Sequence, residues 1–362
     1  MNICYICDTP YQLFNSLNHY YHNNKGETDL YIGKKFYKYE KISELLYKES
    51  IFSNIYMYDC PKYSNIIDKF LQTFVEVYAI DKSVRKWTHQ EEILNVAYDV
   101  IYMSVYTPFS IALKQINPNA QIILFDDGIG TYTGNAQKMD FKKRRLIYRI
   151  LGKKFPDLDY DILYVNSIEF YNLTNQIKKE EVCSLPGINK GETDFLSLLN
   201  RVFRLGSEEI YDQRHLIFLT QPNDRSKTRY KVIEKSILER LQTAKESLLL
   251  RVHPREFEYD FGDFEQDKNR SLWELVVPNH ITDEHILVSV FSTAQFIPKV
   301  MYGMEPTLIF TYKLYQDIYT SKEIAEMEYT VSKLADLYTD KAKIIIPQNF
   351  ESFSNALLKL GY

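Results

Sequence analysis

The sequence has no surplus of positive charge: 44 Lys and Arg stand against 48 Asp and Glu in 362 residues, a net charge of −4. That argues against general nucleic-acid binding, which depends on excess cationic side chains. No apolar run approaches the roughly 20 residues needed to span a bilayer. The opening MNICYICDTP lacks a basic segment followed by a long apolar core, so no signal peptide is expected and the chain is expected in the cytoplasm. Cysteine is scarce: Cys4, Cys7, Cys60 and Cys183 fit a reducing compartment better than a disulfide framework. Cys4 and Cys7 form a CxxC, but inside an apparent strand, ICYIC, whose two-residue period turns them to opposite faces. A metal or redox pair is therefore not expected. Internal repeats, low-complexity tracts and coiled-coil heptads are absent.

What is present is an alternation of short apolar runs with helical stretches. NICYI, DLYIG, NIYMY, DVIYMS and QIILF read as strands of a first half, with helices over Gln12 to His22 and Ile66 to Val77. HLIFLT, SLLLRV, HILVSV, TLIFTY and KIIIP repeat the grammar in a second half. Helices are expected there from about Thr228, from about Thr293, over Val331 to Tyr338 and at the close. Such alternation predicts an α/β protein with two Rossmann-like domains, 1–207 and 208–362, facing a central cleft. The join is expected in the polar stretch Leu205 to Gln213. The 30 tyrosines are scattered, which suits packing.

Four polar loops follow predicted strands, where open α/β sheets bind ligands. The first is FDDGIGTY, residues 125–132, with adjacent carboxylates Asp126 and Asp127 and then Gly128 and Gly130. Its GxGxxxG spacing is not a dinucleotide fingerprint, and two carboxylates would repel a pyrophosphate. An acid or base site and a plain turn both remain open. The second is LLLRVHPRE, in which Arg251 and Arg255 bracket His253 and Pro254, a set suited to an anion. In the third, SVFSTAQF, Ser292 and Thr293 open a helix, as a phosphate cradle or as simple N-capping. The fourth is FLTQPNDR, holding Thr220, Gln221, Pro222 and Asp224.

Together, DDG (126–128), HP (253–254) and the Ser292–Thr293 pair resemble bacterial sialyltransferases of the two-domain GT-B type. CDTPYQ (7–12), TQP (220–222) and HPR (253–255) resemble, more narrowly, glycosyltransferase family 52, which includes lipooligosaccharide and capsule sialyltransferases. The loop NDRSK after TQP departs from the more acidic segment of that family. The resemblance implies an inverting transfer of sialic acid from CMP-sialic acid to a terminal galactoside or sialoside of a surface glycan. It places donor contacts at Gly128, Thr220, Gln221, Pro222, Arg251, Pro254, Arg255, Ser292 and Thr293, and acceptor contacts at Thr9, Pro10 and Gln12. His253 would meet the departing phosphate, and Asp126, Asp127 or Asp224 would be the base.

No metal or other cofactor is implied, because side chains can neutralise a single phosphate. A UDP-sugar hexosyltransferase, a UDP-sugar 2-epimerase and a non-catalytic sugar-nucleotide-binding protein are the alternatives. FKKRRLIYRILGKKF, residues 141–155, carries seven Lys or Arg and no acid, interleaved with Leu146, Ile147, Ile150 and Leu151. As a helix it suits an anionic membrane face; a solvated or partner-facing helix has the same composition. The expected partners are the donor, an oligosaccharide or glycolipid acceptor, and a second copy in a homodimer.

Overall fold

The computed structural model describes residues 1–23, 26–34, 38–59, 74–75, 77–89, 96–134, 141–175, 181–188, 191–203, 209–221, 227–253, 261–267 and 271–362. Apolar runs with no polar alternation need cover on both faces, and parallel sheets flanked by helices provide it. The chain divides into two units, Met1–Tyr171 with Asn175–Val202, and Asn172–Thr174 with Phe203–Tyr362.

The first unit is built on β1 (Ile3–Cys7), β2 (Thr28–Gly33), β3 (Asn54–Tyr58), β4 (Val100–Met103), β5 (Gln121–Phe125), β6 (Ile162–Val165) and β7 (Glu181–Ser184). Their order is β3-β2-β1-β4-β5-β6-β7, and every pairing is parallel. The chain runs outward from β1 through β3 and restarts at β4 on the other side of β1. Such a reversal opens a crevice at the carboxyl ends of the strands. Strands β6 and β7 lie outside the five expected from sequence.

Many of the described tyrosines are core. Tyr5 stacks on Tyr102 with ring centroids 4.7 Å apart, Tyr102 stacks on Phe125 at 5.3 Å, and all three are buried. His19 lies among them and donates or accepts at Tyr5 Oη across 2.8 Å; burial lowers its pKa to about 4. Cys4 and Cys7 are both buried and free, Cys7 Sγ lies 3.3 Å from Ser16 Oγ, and burial pushes its thiol up to about 12. Burial of both side chains works against the thiolate that redox reactivity needs.

The second unit is built on β8 (Leu216–Leu219), β9 (Leu248–Arg251), β10 (Ile286–Ser289), β11 (Thr307–Phe310) and β12 (Ile344–Ile345), in the order β12-β11-β10-β8-β9, again all parallel. Its reversal lies between β8 and β10, where Ser289 Oγ donates to Leu219 O at 2.7 Å. Helices Lys227–Leu241, Thr293–Tyr302 and Phe350–Lys359 fall where the pattern predicts. The helix expected over Val331 to Tyr338 is longer, Ser321–Leu337, and starts at a capping box made by Thr320 and Glu323. Of the helix expected over Ile66 to Val77, residues 74–75 and 77 are described and are helical; the rest lies outside the described residues, as do residues 205–208 of the expected join.

Candidate active site

In the first unit the site begins with helix Pro10–Asn23, which follows β1 directly. Its buried side is unusually polar: Gln12, Asn15, Ser16, Asn18 and His19 are all buried beside Leu13, Phe14 and Leu17. Buried polar groups need partners, and the strand ends supply them. Gln12 Oε1 accepts from Asp8 N at 2.6 Å, which leaves Gln12 Nε2 to donate to Asp127 Oδ1 at 2.7 Å. Thr9 Oγ1 accepts from Gln12 N at 3.2 Å, and Pro10 is the helix's first residue, where a missing N–H costs nothing. Asn15 Nδ2 donates to Asp126 O at 3.0 Å.

The two adjacent carboxylates of the acidic turn have opposite surroundings. Asp126 has no exposed surface. Its Oδ1 accepts from Gly128 N at 2.7 Å, and its Oδ2 from Tyr132 Oη at 2.5 Å and from Asn166 N and Nδ2 at 3.2 Å each. Burial raises its pKa, and these four donors oppose that rise. Asp127 is half-buried, and its pKa is pushed up to about 6. Burial is the main cause, the hydrogen bond from Gln12 works against it, and the charges of Asp126 and Asp8 add to it. Asp126 ties the loop together, whereas Asp127 offers a basic oxygen near neutral pH.

Gly128 makes the turn feasible, with φ 84° and ψ −152° at the start of helix Ile129–Tyr132, a backbone region close to glycine-only. Thr131 Oγ1 accepts from Asp127 N at 2.8 Å and braces the same turn. Gly33, at the end of β2, leaves room for a neighbouring carboxylate. A Cβ there would lie 2.4 Å from Asp8 Oδ1 and 3.3 Å from Asp8 Cγ. Asp8 thus rests against a backbone with no side chain, within electrostatic reach of Asp127.

In the second unit the carboxyl ends of β8, β9 and β10 are fastened to one another. Thr220 Oγ1 accepts from His253 N at 2.8 Å, and Gln221 Nε2 donates to Phe291 O at 2.5 Å. His253 is half-buried. Ser292 is the N-cap of helix Thr293–Tyr302: its Oγ accepts from Ala294 N at 3.3 Å, and Gln295 Oε1 accepts from Ser292 N at 3.3 Å. Of the two readings open for Ser292, capping is the one its geometry displays. Thr293 is the first residue of that helix.

Arg251 is engaged within the unit. It was expected to offer its guanidinium to an anion, but Asp267 Oδ2 holds it at 2.7 Å, with Tyr211 Oη at 2.6 Å and Ser271 O as further acceptors. Trp273 lies under the guanidinium carbon at 4.9 Å from its ring centroid. The charge is matched internally, so Arg251 braces the unit. Pro222, Asp224, Pro254 and Arg255 lie outside the described residues.

Sequence reasoning did not select Asp8, Tyr11, Asn15 or Asn166. Asp8 follows an apolar strand just as Asp126 does, so the same rule identifies it. Asn166 follows β6, and its Nδ2 also donates to Tyr11 Oη at 2.9 Å; the apolar run ILYV was the available signal. Among the described residues no group of three or more His, Cys, Asp or Glu side chains is arranged to hold a metal ion.

The family model for alpha-2,8-polysialyltransferases (POLYST) matches residues 5–322. No curated protein matches the chain significantly. Among solved structures, the GT-B domain of a sialyltransferase from Photobacterium damselae (residues 113–497) is similar with a TM-score of 0.51 at 14% identity, over 96% of this chain and 99% of that one. The glycotransferase of kitacinnamycin is similar with a TM-score of 0.52 at 9% identity, over 99% and 90%. A putative UDP-N-acetylglucosamine 2-epimerase from Listeria monocytogenes is similar with a TM-score of 0.50 at 10% identity, over 99% and 87%. At these identities the structural likenesses speak to fold alone: an α/β architecture shared by GT-B glycosyltransferases and epimerases. The family match supports the sialyltransferase part of the motif resemblance; family 52 itself is not what it names.

Proposed function

We propose that this chain, which belongs to the alpha-2,8-polysialyltransferase family, transfers sialic acid from CMP-sialic acid to the terminal sialic acid of a bacterial surface glycan, with inversion and without a metal. Glycosyl transfer of the sialyl class follows from the family; the donor, the acceptor and the stereochemistry are our reading. The family's name favours a sialoside acceptor over a galactoside.

The observation that carries the mechanism is Asp127, a half-buried carboxylate whose pKa is pushed up to about 6 at the carboxyl end of a parallel strand. A base with a pKa just below the working pH is both ionised and able to accept a proton. In the proposed step the acceptor hydroxyl oxygen bonds to the anomeric carbon of sialic acid, and the bond from that carbon to the phosphate oxygen breaks. The hydroxyl proton passes to Asp127, and CMP leaves with the electron pair. The motif resemblance assigns His253 to the developing phosphate charge. Asp126 takes no proton from substrate here, because both its oxygens already accept from Gly128, Tyr132 and Asn166.

The test is a donor and acceptor screen that scores CMP and UDP release with oligosialosides and galactosides. CMP release dependent on an oligosialoside, persisting in EDTA, is expected. UDP release from UDP-hexoses without CMP release would overturn the donor assignment. Turnover of a UDP-sugar with no acceptor would favour the epimerase alternative. Loss of transfer in Asp224→Asn with retention in Asp127→Asn would move the base to the second unit.

A further inference from the structure

The basic segment singled out in the sequence takes no part in the site above, and its surroundings give it a different use. Residues Lys142–Ile150 form a helix held to the first unit by Tyr148, which is buried and donates from Oη to Gln115 Oε1 at 2.8 Å. Lys143, Leu146, Ile147 and Ile150 follow the i, i+3, i+4, i+7 spacing of one helix face. Leu146 is 54% and Ile150 68% exposed, an unusual state for such side chains beside a helix so firmly anchored.

A second segment extends this apolar surface. Tyr78 Oη donates to Leu151 O at 3.0 Å, and the Lys153 ammonium lies 5.8 Å from the Tyr78 ring centroid. Phe74 and Tyr78 have ring centroids 4.8 Å apart, and Phe74, Val75 and Tyr78 are 43%, 45% and 54% exposed. The helix ends in a tight reversal at Gly152, φ 68°, where Lys153 N donates to Tyr148 O at 2.9 Å and Gly152 N to Arg149 O at 3.1 Å. That reversal brings Lys153 to the same end as the exposed Tyr78 ring.

Lys143, Arg145, Arg149, Lys153 and Lys154 are exposed around these apolar side chains, and the next acid after Phe141 is Asp157. In a chain of net charge −4, this places concentrated positive charge around exposed apolar side chains. We propose that this surface docks on an anionic lipid bilayer, with Leu146, Ile150, Phe74 and Tyr78 entering the headgroup layer and the Lys and Arg side chains meeting lipid phosphates. A soluble polyanion would satisfy the charges but would leave the apolar side chains in water, whereas a bilayer satisfies both. The assignment is independent of the transfer mechanism, since no catalytic residue is involved.

The test uses the full chain and no sugar nucleotide, with co-sedimentation on phosphatidylcholine vesicles and on mixed phosphatidylcholine–phosphatidylglycerol vesicles. At about 0.1 M salt, where screening acts over about 10 Å, binding to the mixed vesicles alone is expected. The triple change Lys143→Glu, Arg149→Glu and Lys154→Glu should weaken it by about tenfold or more. Leu146→Ser with Ile150→Ser should weaken it by about three- to tenfold, and Ile150→Trp should show a blue-shifted emission on the mixed vesicles. All these positions are exposed, so thermal unfolding should be unchanged. Equal binding to neutral vesicles, binding indifferent to the charge changes or to the serine changes, or binding to heparin with none to mixed vesicles would each overturn the proposal.

Discussion

The two units carry their polar loops at equivalent places, the carboxyl ends of parallel strands, but they build them by different means. In the first unit side chains hold side chains: Gln12 holds Asp127, and Tyr132 and Asn166 hold Asp126. In the second, side chains hold backbone: Thr220 takes the amide of His253, Gln221 the carbonyl of Phe291, and Ser292 the amide of Ala294. The first arrangement fixes charge in a medium of low polarity and so alters proton affinity. The second fixes loop geometry, and its Arg251 is matched by Asp267. The shared architecture thus carries two differently built kinds of polar loop.

The largest effect is expected where that difference is attacked directly. Asp127→Asn should lower the transfer rate by about 10² to 10⁴, the usual contribution of a positioned base, with CMP affinity unchanged in calorimetry. Weakened CMP binding of the same size would mean that the acidic turn also holds the donor. The same change has a stability signature. The folded pKa of Asp127 is raised above the ordinary carboxylate range, so its contribution is full below about 4 and is lost as pH rises through about 6. Asp127→Asn should therefore unfold at higher temperature than the parent at pH 7, by a margin of about 1–2 kcal/mol, and equally at pH 4. A margin that grows on acidification contradicts the assignment.

Next in size, Arg251→Ala should destabilise the protein by about 3–5 kcal/mol, as expected when Asp267 is left as an uncompensated buried charge. Denaturant unfolding with fluorescence from Trp273 reports it. A folded variant of parental stability that has lost CMP binding would return Arg251 to the donor site.

Asp126→Asn should cost about 2–3 kcal/mol, because an amide N–H₂ must face donors that previously met an oxygen. Loss of activity in this variant should track loss of folded protein; a stable, inactive Asp126→Asn would make the buried acid catalytic after all. The smallest effect belongs to Gln12→Leu. Its donated hydrogen bond holds the Asp127 pKa down, so removing it should shift the acid limb of the kcat/KM profile to higher pH, by about half to one unit, with the plateau little changed.

Much of the scaffold was legible because buried parallel strands are contiguous apolar runs: QIILF coincides with β5, and HLIFLT contains β8. Strand β7, EVCS, was not, since an edge strand needs cover on fewer sides and carries polar residues. Helix Ser321–Leu337 was seen only at its apolar end, although Thr320 and Glu323 spell a capping box. At the site, the acidic turn was legible from its place after a strand, but the difference between its two acids was not. That difference arises from Tyr132 and Asn166, the latter 40 residues away in sequence. The internal pairing of Arg251 was hidden for the same reason, because its partner Asp267 sits in a segment with no motif of its own.

The contact between Gly33 and Asp8 reaches beyond this one chain. A carbon added at position 33 would occupy the space of the carboxylate at position 8, so the two positions trade volume against charge. In relatives that retain the acid after the first strand, the second strand should end in glycine. Where a larger residue ends it, the acid should be lost or shortened. Paired variation at two loci 25 positions apart would then mark the acidic site in sequences too divergent to display the DDG turn.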